Sequence, residues 1–194
     1  MEWFEAIILG LVQGLTEFLP VSSSGHLAIG KALLGVEPSG DLVFEVTVHA
    51  ATVLATIVVF RKEIWKLLCG LFKFKYNEET DYIAKICVSM IPVFVVGMFF
   101  KDKVEAAFDS LAVVGICLLV TAILLTLSDI LSRKKVAQAG AGDRRNGISF
   151  WQAFVVGLGQ ACAVLPGLSR SGTTISTGLL CGVKRESMAQ FSFL

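Results

Sequence analysis

Charged side chains are scarce in this sequence, because aspartate, glutamate, lysine and arginine make up only 17% of its 194 residues. Hydrophobic residues make up 55%, and the mean hydropathy is +0.74. Soluble globular domains have a very different balance, so this composition predicts an integral membrane protein. The formal net charge is only +1, which argues against a nucleic-acid partner.

The sequence also lacks a cysteine framework. Its five cysteines stand singly, with no C-x-x-C pair and no nearby set of ligands, so neither a disulfide scaffold nor a metal–thiolate site is favoured. We interpret them as small apolar packing residues. The first five residues, MEWFE, carry no basic n-region, so no signal peptide is predicted and insertion depends on the mature helices.

Polar side chains are concentrated in one stretch, residues 13–26, which read QGLTEFLPVSSSGH. Glu17 and His26 enclose three consecutive serines there. An ionisable group at membrane depth is costly, and it therefore marks a functional site by default. The stretch is the first candidate for a reactive centre.

A proline and a glycine inside this stretch predict a break in the helix. Pro20 has no N–H to continue a helix, and Gly25 tolerates unusual dihedral angles. A second helix should begin near residues 24–26. Its first N–H groups have no intrahelical partner, and together with the helix dipole they form an anion site.

The same design returns 147 residues later, when residues 4–25 are aligned with residues 151–172. Glycine, glutamine, serine and proline carry the match, so shared hydrophobicity does not explain it, and we interpret it as an internal repeat. The copies differ in their reactive groups. The first has Glu17 and His26, whereas the second has Val164 and Thr173 there and adds Arg170 between two serines.

The spacing of apolar segments predicts how the two copies enter the membrane. Residues 4–19 would span only ~24 Å as a helix, short of the roughly 30 Å hydrocarbon core, and residues 150–165 are similarly short. Each copy therefore suits a re-entrant hairpin. Three longer segments lie between them and predict full spans, at residues 42–60, 83–100 and 111–131.

Loop charges orient these spans. Basic residues follow the first and third spans, at 61–75 and 133–145, so both loops should be cytoplasmic and loop 101–109 should lie outside. An odd number of crossings inverts the second copy, which would bring the two broken ends together near the midplane, so that Glu17 meets Arg170. We predict an all-α polytopic membrane protein with an inverted-topology repeat. It forms one membrane domain over residues 1–194, with the first repeat at about 1–110 and the second, incomplete at its C-terminus, from about 111.

These motifs resemble those of the undecaprenyl-diphosphate phosphatases, also called bacitracin resistance proteins. That family carries (E/Q)-x-x-x-E-F-L-P-V-S-S-x-G-H, matched by residues 13–26, and P-G-x-S-R-S-x-x-T, matched by residues 166–174. Both motifs occur in order and at the family's spacing, and the likeness extends over essentially the whole chain. Gln13 replaces a glutamate, which the family permits. Ala50 and Ala51 depart from the Leu-Gly-like pair expected after His49.

The resemblance implies a hydrolase that converts undecaprenyl diphosphate into undecaprenyl phosphate and inorganic phosphate. The product would return to peptidoglycan synthesis, and the activity would confer resistance to bacitracin. The expected location is a bacterial cell membrane, with membrane lipids as surroundings. Mg²⁺ or Ca²⁺ is implied as a cofactor, held in part by Glu17. A homodimer is left open.

The site assignments combine the loop chemistry with the family motifs. Glu17, Ser23, His26 and Arg170 are the catalytic candidates. The predicted phosphate-binding residues are Ser22, Ser24, Gly25, Ser169, Ser171, Gly172 and Thr174, and the supporting residues are Gln13, Glu45 and His49.

Several alternatives stay open at this stage. Ser23 could attack the phosphate with His26 or Glu17 as base, or Glu17 could orient a water molecule. Glu17 and Arg170 could instead form a structural ion pair. Glu45 and His49 lie four residues apart and could pair with each other. A polyprenyl-phosphate transporter or flippase would use the same repeat and the same arginine, although Glu17, Ser23 and His26 on one loop exceed what binding requires.

Overall fold

The computed structural model describes residues 2–36, 42–73, 76–100, 104, 107, 110–136 and 147–194. All regular secondary structure in these ranges is helical. Nine helices are defined there: α1 Trp3–Glu17, α2 Ser23–Leu34, α3 Leu42–Val59, α4 Arg61–Leu71, α5 Glu78–Phe99, α6 Leu111–Val136, α7 Phe150–Cys162, α8 Arg170–Leu180 and α9 Arg185–Phe193. The prediction of an all-α protein is confirmed for these residues.

Within the described residues, two helices are long and apolar enough to cross a membrane, Glu78–Phe99 and Leu111–Ser132. A third crossing is added if α3 and α4, which meet at an angle of 76°, count as one bent span. The basic segment after residue 60 was expected to be a loop. That prediction was wrong, because most of it forms α4. The predicted external loop at 101–109 and most of the linker at 133–147 fall outside the described residues.

Both polar stretches interrupt a helix, as predicted. α1 ends at Glu17 and α2 begins at Ser23, while α7 ends at Cys162 and α8 begins at Arg170. A serine caps each second helix in the same way. Ser22 Oγ accepts a hydrogen bond from Gly25 N, and Ser169 Oγ accepts one from Gly172 N. Removing such a cap typically destabilises a helix by ~1 kcal/mol.

Close packing joins the second broken helix to its neighbours. Gly157 on α7 lies against the backbone of Ser89 on α5, where a Cβ atom would overlap the carbonyl group. Gly178 on α8 makes room in the same way for Met188 on α9. Ala153, Val156, Val183, Met188 and Phe191 form part of the buried core beside these contacts. α6 contacts both α2 and α8, so it lies next to both polar loops.

Outward faces of the helices are apolar, as expected for contact with lipid. Leu33 is 82% exposed and Val43 is 79% exposed. The interpretation of the cysteines as packing residues holds for Cys117, which is buried. It is wrong for the three that lie exposed, Cys69, Cys87 and Cys162. All five thiols are free.

Candidate active site at the two helix breaks

Glu17 is the centre of the first loop. It is the last residue of α1, and its side chain is 17% exposed. Gln13, one turn earlier on the same face, donates from Nε2 to Glu17 Oε2 at 2.9 Å. Ser23 Oγ also donates to Oε2 from the start of α2. Oε2 of Glu17 therefore accepts hydrogen bonds from both sides of the helix break.

Ser22 holds the break in a strained conformation. Its φ of 67° lies in the left-handed region, which is uncommon for residues other than glycine and is concentrated at functional sites. Its hydroxyl lies 3.3 Å from both Gly25 N and Ser24 Oγ. This turn reverses the chain within a few residues, so Ser23 reaches back to Glu17.

His26 is oriented by the same turn. Its Nδ1 lies 2.8 Å from the carbonyl oxygen of Ser22. A carbonyl only accepts, so Nδ1 donates this hydrogen bond, and Nε2 is the ring nitrogen left for another partner. Ser23 is hydrogen-bonded to Glu17 rather than to this ring.

Arg170 joins the second loop to the first. It is the first residue of α8, and its Nη2 lies 3.6 Å from Glu17 Oε1. The guanidinium side chain is 63% exposed, so most of its N–H groups face the surroundings rather than the carboxylate. The sequence predicts that Glu17 meets Arg170, and the ion pair between the two loops confirms this contact.

The other predicted residues of the second loop have several partners within the fold. Ser169 Oγ accepts from Gly172 N at 3.0 Å and lies 3.4 Å from Ser171 Oγ. Thr174 Oγ1 bonds the carbonyl of Arg170 at 2.9 Å and contacts Ser192 Oγ on α9 at 2.6 Å. Binding of phosphate by these hydroxyls stays a prediction.

The two loops contact each other reciprocally. A Cβ atom added to Gly25 would lie 3.0 Å from the Cα of Gly167. A Cβ atom added to Gly172 would lie 2.9 Å from the carbonyl oxygen of Pro20. At the spacing of the repeat, Gly172 corresponds to Gly25 and Gly167 corresponds to Pro20. Each contact is therefore the counterpart of the other.

The side chains of Glu45 and His49, two of the predicted supporting residues, have different partners. His49 is exposed, and its Nδ1 bonds the backbone carbonyl of Glu45 at 2.8 Å. The Glu45 carboxylate pairs instead with Lys31 Nζ on α2. The suggested pairing of the Glu45 and His49 side chains was therefore wrong. Lys31 was missed, although a lone lysine in the apolar segment after His26 was a usable signal.

The family described as Bacitracin resistance protein BacA matches residues 6–194. The chain belongs to this family. One relative is an undecaprenyl-diphosphatase from Bacteroides fragilis. It is 56% identical over 195 residues, and the match covers all of this chain and 70% of that protein. The corresponding protein of Christiangramia forsetii is 49% identical, with 71% of it and all of this chain covered.

A less similar relative extends the comparison. The undecaprenyl-diphosphatase of Methanococcus vannielii is 42% identical over 192 residues, covering 98% of this chain and 72% of that protein. Each relative is longer than the matched region. The match reaches both polar loops and the helices that carry them, because it spans essentially the whole chain.

The divalent cation implied by the bacitracin resistance family can be tested against the donor set. Among the described residues, no group of three histidine, cysteine or acidic side chains forms a metal site. Beside Glu17, however, Gln13 Oε1 is buried without a hydrogen-bond partner, and Gln13 is 1% exposed. One carboxylate and one amide oxygen fit a hard cation that takes its remaining ligands from water and substrate phosphates.

Proposed function

We propose that this chain hydrolyses undecaprenyl diphosphate to undecaprenyl phosphate and inorganic phosphate. The observation that carries the proposal is the approach of Glu17 to Arg170, 3.6 Å apart, from two different helix breaks in a membrane protein. Family membership and the printed names of the relatives support it. The site then acts on a lipid carrier of peptidoglycan synthesis, in a bacterial cell membrane, and confers resistance to bacitracin.

Substrate binding rests on charge and on helix termini. Arg170 offers a planar fork that can hold two phosphate oxygens at once. α2 and α8 begin beside Glu17 and Arg170, and unpaired N–H groups at helix N-termini bind anions. Ser24, Ser169 and Ser171 lie on the same turns and supply hydroxyl donors.

The hydrogen bond between Ser23 and Glu17 favours serine as the nucleophile. Ser23 Oγ attacks the terminal phosphorus, its proton passes to Glu17, and the phosphoanhydride bond breaks with undecaprenyl phosphate as the leaving group. Water then hydrolyses the phosphoserine and releases inorganic phosphate. His26 lies on the same turn and is the second candidate base, through Nε2 of the neutral ring. In the alternative route Glu17 activates water directly, and no phosphoserine forms.

Glu17 and Gln13 are the residues that would hold the divalent cation, together with phosphate oxygens of the substrate. When bound, Mg²⁺ or Ca²⁺ would neutralise part of the diphosphate charge. Arg170 lies beside Oε1 of Glu17, whereas Gln13 and Ser23 bond Oε2. Its guanidinium would also neutralise part of the diphosphate charge.

The proposed architecture is an inverted repeat of two re-entrant hairpins within one membrane domain. Its support is the reciprocal pair of contacts, Gly25 with Gly167 and Gly172 with Pro20. In a two-fold arrangement, a contact between residues i and j implies its mirror contact. A homodimer stays a prediction.

The inverted repeat predicts a labelling pattern. In a protein whose native cysteines are replaced, a single cysteine within residues 101–109 should react with an impermeant thiol reagent added from outside. A single cysteine within residues 133–147 should be protected until the membrane is opened, because that linker is strongly basic and should be cytoplasmic. Labelling of both positions from the same side would contradict the inverted arrangement.

The proposed activity is tested by release of inorganic phosphate. Purified protein in detergent should release phosphate from undecaprenyl diphosphate, and a chelator should reduce the rate. A polyprenyl-phosphate transporter on the same repeat would bind the lipid without releasing phosphate and would move it between leaflets of a vesicle. Absence of phosphate release with chelator-free, folded protein would refute the hydrolase.

A further inference from the structure

Thr121 on α6 makes hydrogen bonds to the second polar loop from outside both motifs. Its Oγ1 accepts from Ser169 N at 3.1 Å and donates toward Gly167 O at 3.1 Å. The same proton also faces the carbonyl of Cys117 in its own helix, at 3.0 Å. Thr121 is 2% exposed, so water does not replace these contacts. One hydroxyl therefore forms hydrogen bonds to the loop backbone at both Gly167 and Ser169.

The loop has little freedom to adjust at this point. Gly167 has a φ of 89°, and a Cβ atom added there would overlap the carbonyl oxygen of Val114 and reach Cys117. The loop thus rests directly on the face of α6 that carries Thr121. Ser169, whose N–H the threonine holds, immediately precedes Arg170 and caps α8.

Most threonines of the described helices donate instead to a carbonyl oxygen of their own helix. Thr126 Oγ1 bonds only the carbonyl one turn back, that of Ala122, and lies exposed on the same helix. Ser128 Oγ on α6 does reach α8, but it bonds Ser176 Oγ at 3.0 Å, well inside that helix. Thr121 differs from both because its external partners are backbone groups of the loop next to Arg170.

We propose that Thr121 is a positioning residue for the phosphatase site, fixing the backbone that sets where the Arg170 guanidinium stands. This inference rests on the proposed function. Small displacements of a group that acts on the reacting atoms reduce turnover strongly, by up to about 100-fold for a shift of ~1 Å. Loss of the hydroxyl should therefore lower kcat more than it raises KM.

The experiment compares Thr121→Ser with Thr121→Ala in the purified protein, measuring kcat and KM for phosphate release from undecaprenyl diphosphate. These two side chains differ by one hydroxyl. We expect serine to retain kcat within about threefold and alanine to lose about 10- to 100-fold. Ser128→Ala is the matched control, because it removes a buried hydroxyl of α6 that bonds α8 away from the loop, and its kcat should stay near wild type.

A double-mutant cycle separates positioning from general loss of stability. Combined with Arg170→Lys, the Thr121→Ala change should cost much less than it does alone, because both act on one group. Equal kcat for the serine and alanine variants, or full additivity with Arg170→Lys, would overturn the inference. Wild-type protein that releases no phosphate would instead refute the proposed function itself.

Discussion

Glu17→Gln should lower kcat for undecaprenyl diphosphate hydrolysis by roughly 1,000-fold or more, while the protein stays folded. Glutamine keeps the shape of the side chain, so packing at the end of α1 is preserved. It removes the carboxylate that would take the proton of Ser23 Oγ, and it removes the negative charge beside Arg170. In the serine route Ser23 loses the base to which its hydroxyl is hydrogen-bonded, and in the water route the water is not activated.

Phosphate release measures the effect, with a thermal unfolding midpoint as the check on folding. Glu186→Gln is the control, since Glu186 is an exposed carboxylate in the first turn of α9. Turnover near the wild-type rate in Glu17→Gln would end the case for a catalytic carboxylate at this position.

Arg170→Lys should reduce kcat by about 100-fold, although it conserves the charge. A lysine offers a point charge on a flexible stem, whereas a guanidinium holds two phosphate oxygens in one plane. The fork is needed most while charge moves among the oxygens during bond breaking, so the loss should appear mainly in kcat rather than in KM.

Arg170→Ala should be more severe, because it also leaves the partly buried Glu17 without its cation. The matched control is Arg185→Lys. Arg185 is 64% exposed, close to the 63% of Arg170, and it also pairs with a carboxylate, that of Asp129. If Arg170→Lys has the wild-type kcat, Arg170 acts only as a general counter-ion, and its proposed role in holding two phosphate oxygens is wrong.

The sequence predicted the features that arise from local chemistry. Pro20 marks one helix break, and Pro166 and Gly167 mark the other, because proline cannot continue a helix and glycine permits the φ of 89° found at Gly167. Gly25, which was also expected at the first break, lies inside α2. The repeat then pairs the breaks, so the approach of Glu17 to Arg170 followed from the sequence pattern alone.

Features that arise from tertiary contact were not predictable in the same way. The basic residues of α4 predict a loop, because they obscure an amphipathic helix that packs on α5. Thr121 is one hydroxyl in an apolar helix, and such a residue usually bonds its own helix, as Thr126 does. Only the folded chain places it 3.1 Å from the backbone next to Arg170.

The most direct test of the shared site is an experimental structure of the Glu17→Gln protein with undecaprenyl diphosphate bound. The variant should retain substrate because turnover is blocked. We expect the diphosphate between the two loops, with phosphate oxygens within hydrogen-bond distance of the Arg170 guanidinium and the terminal phosphorus facing Ser23 Oγ. A diphosphate bound away from both helix breaks would contradict the assignment of one active site to the two repeats.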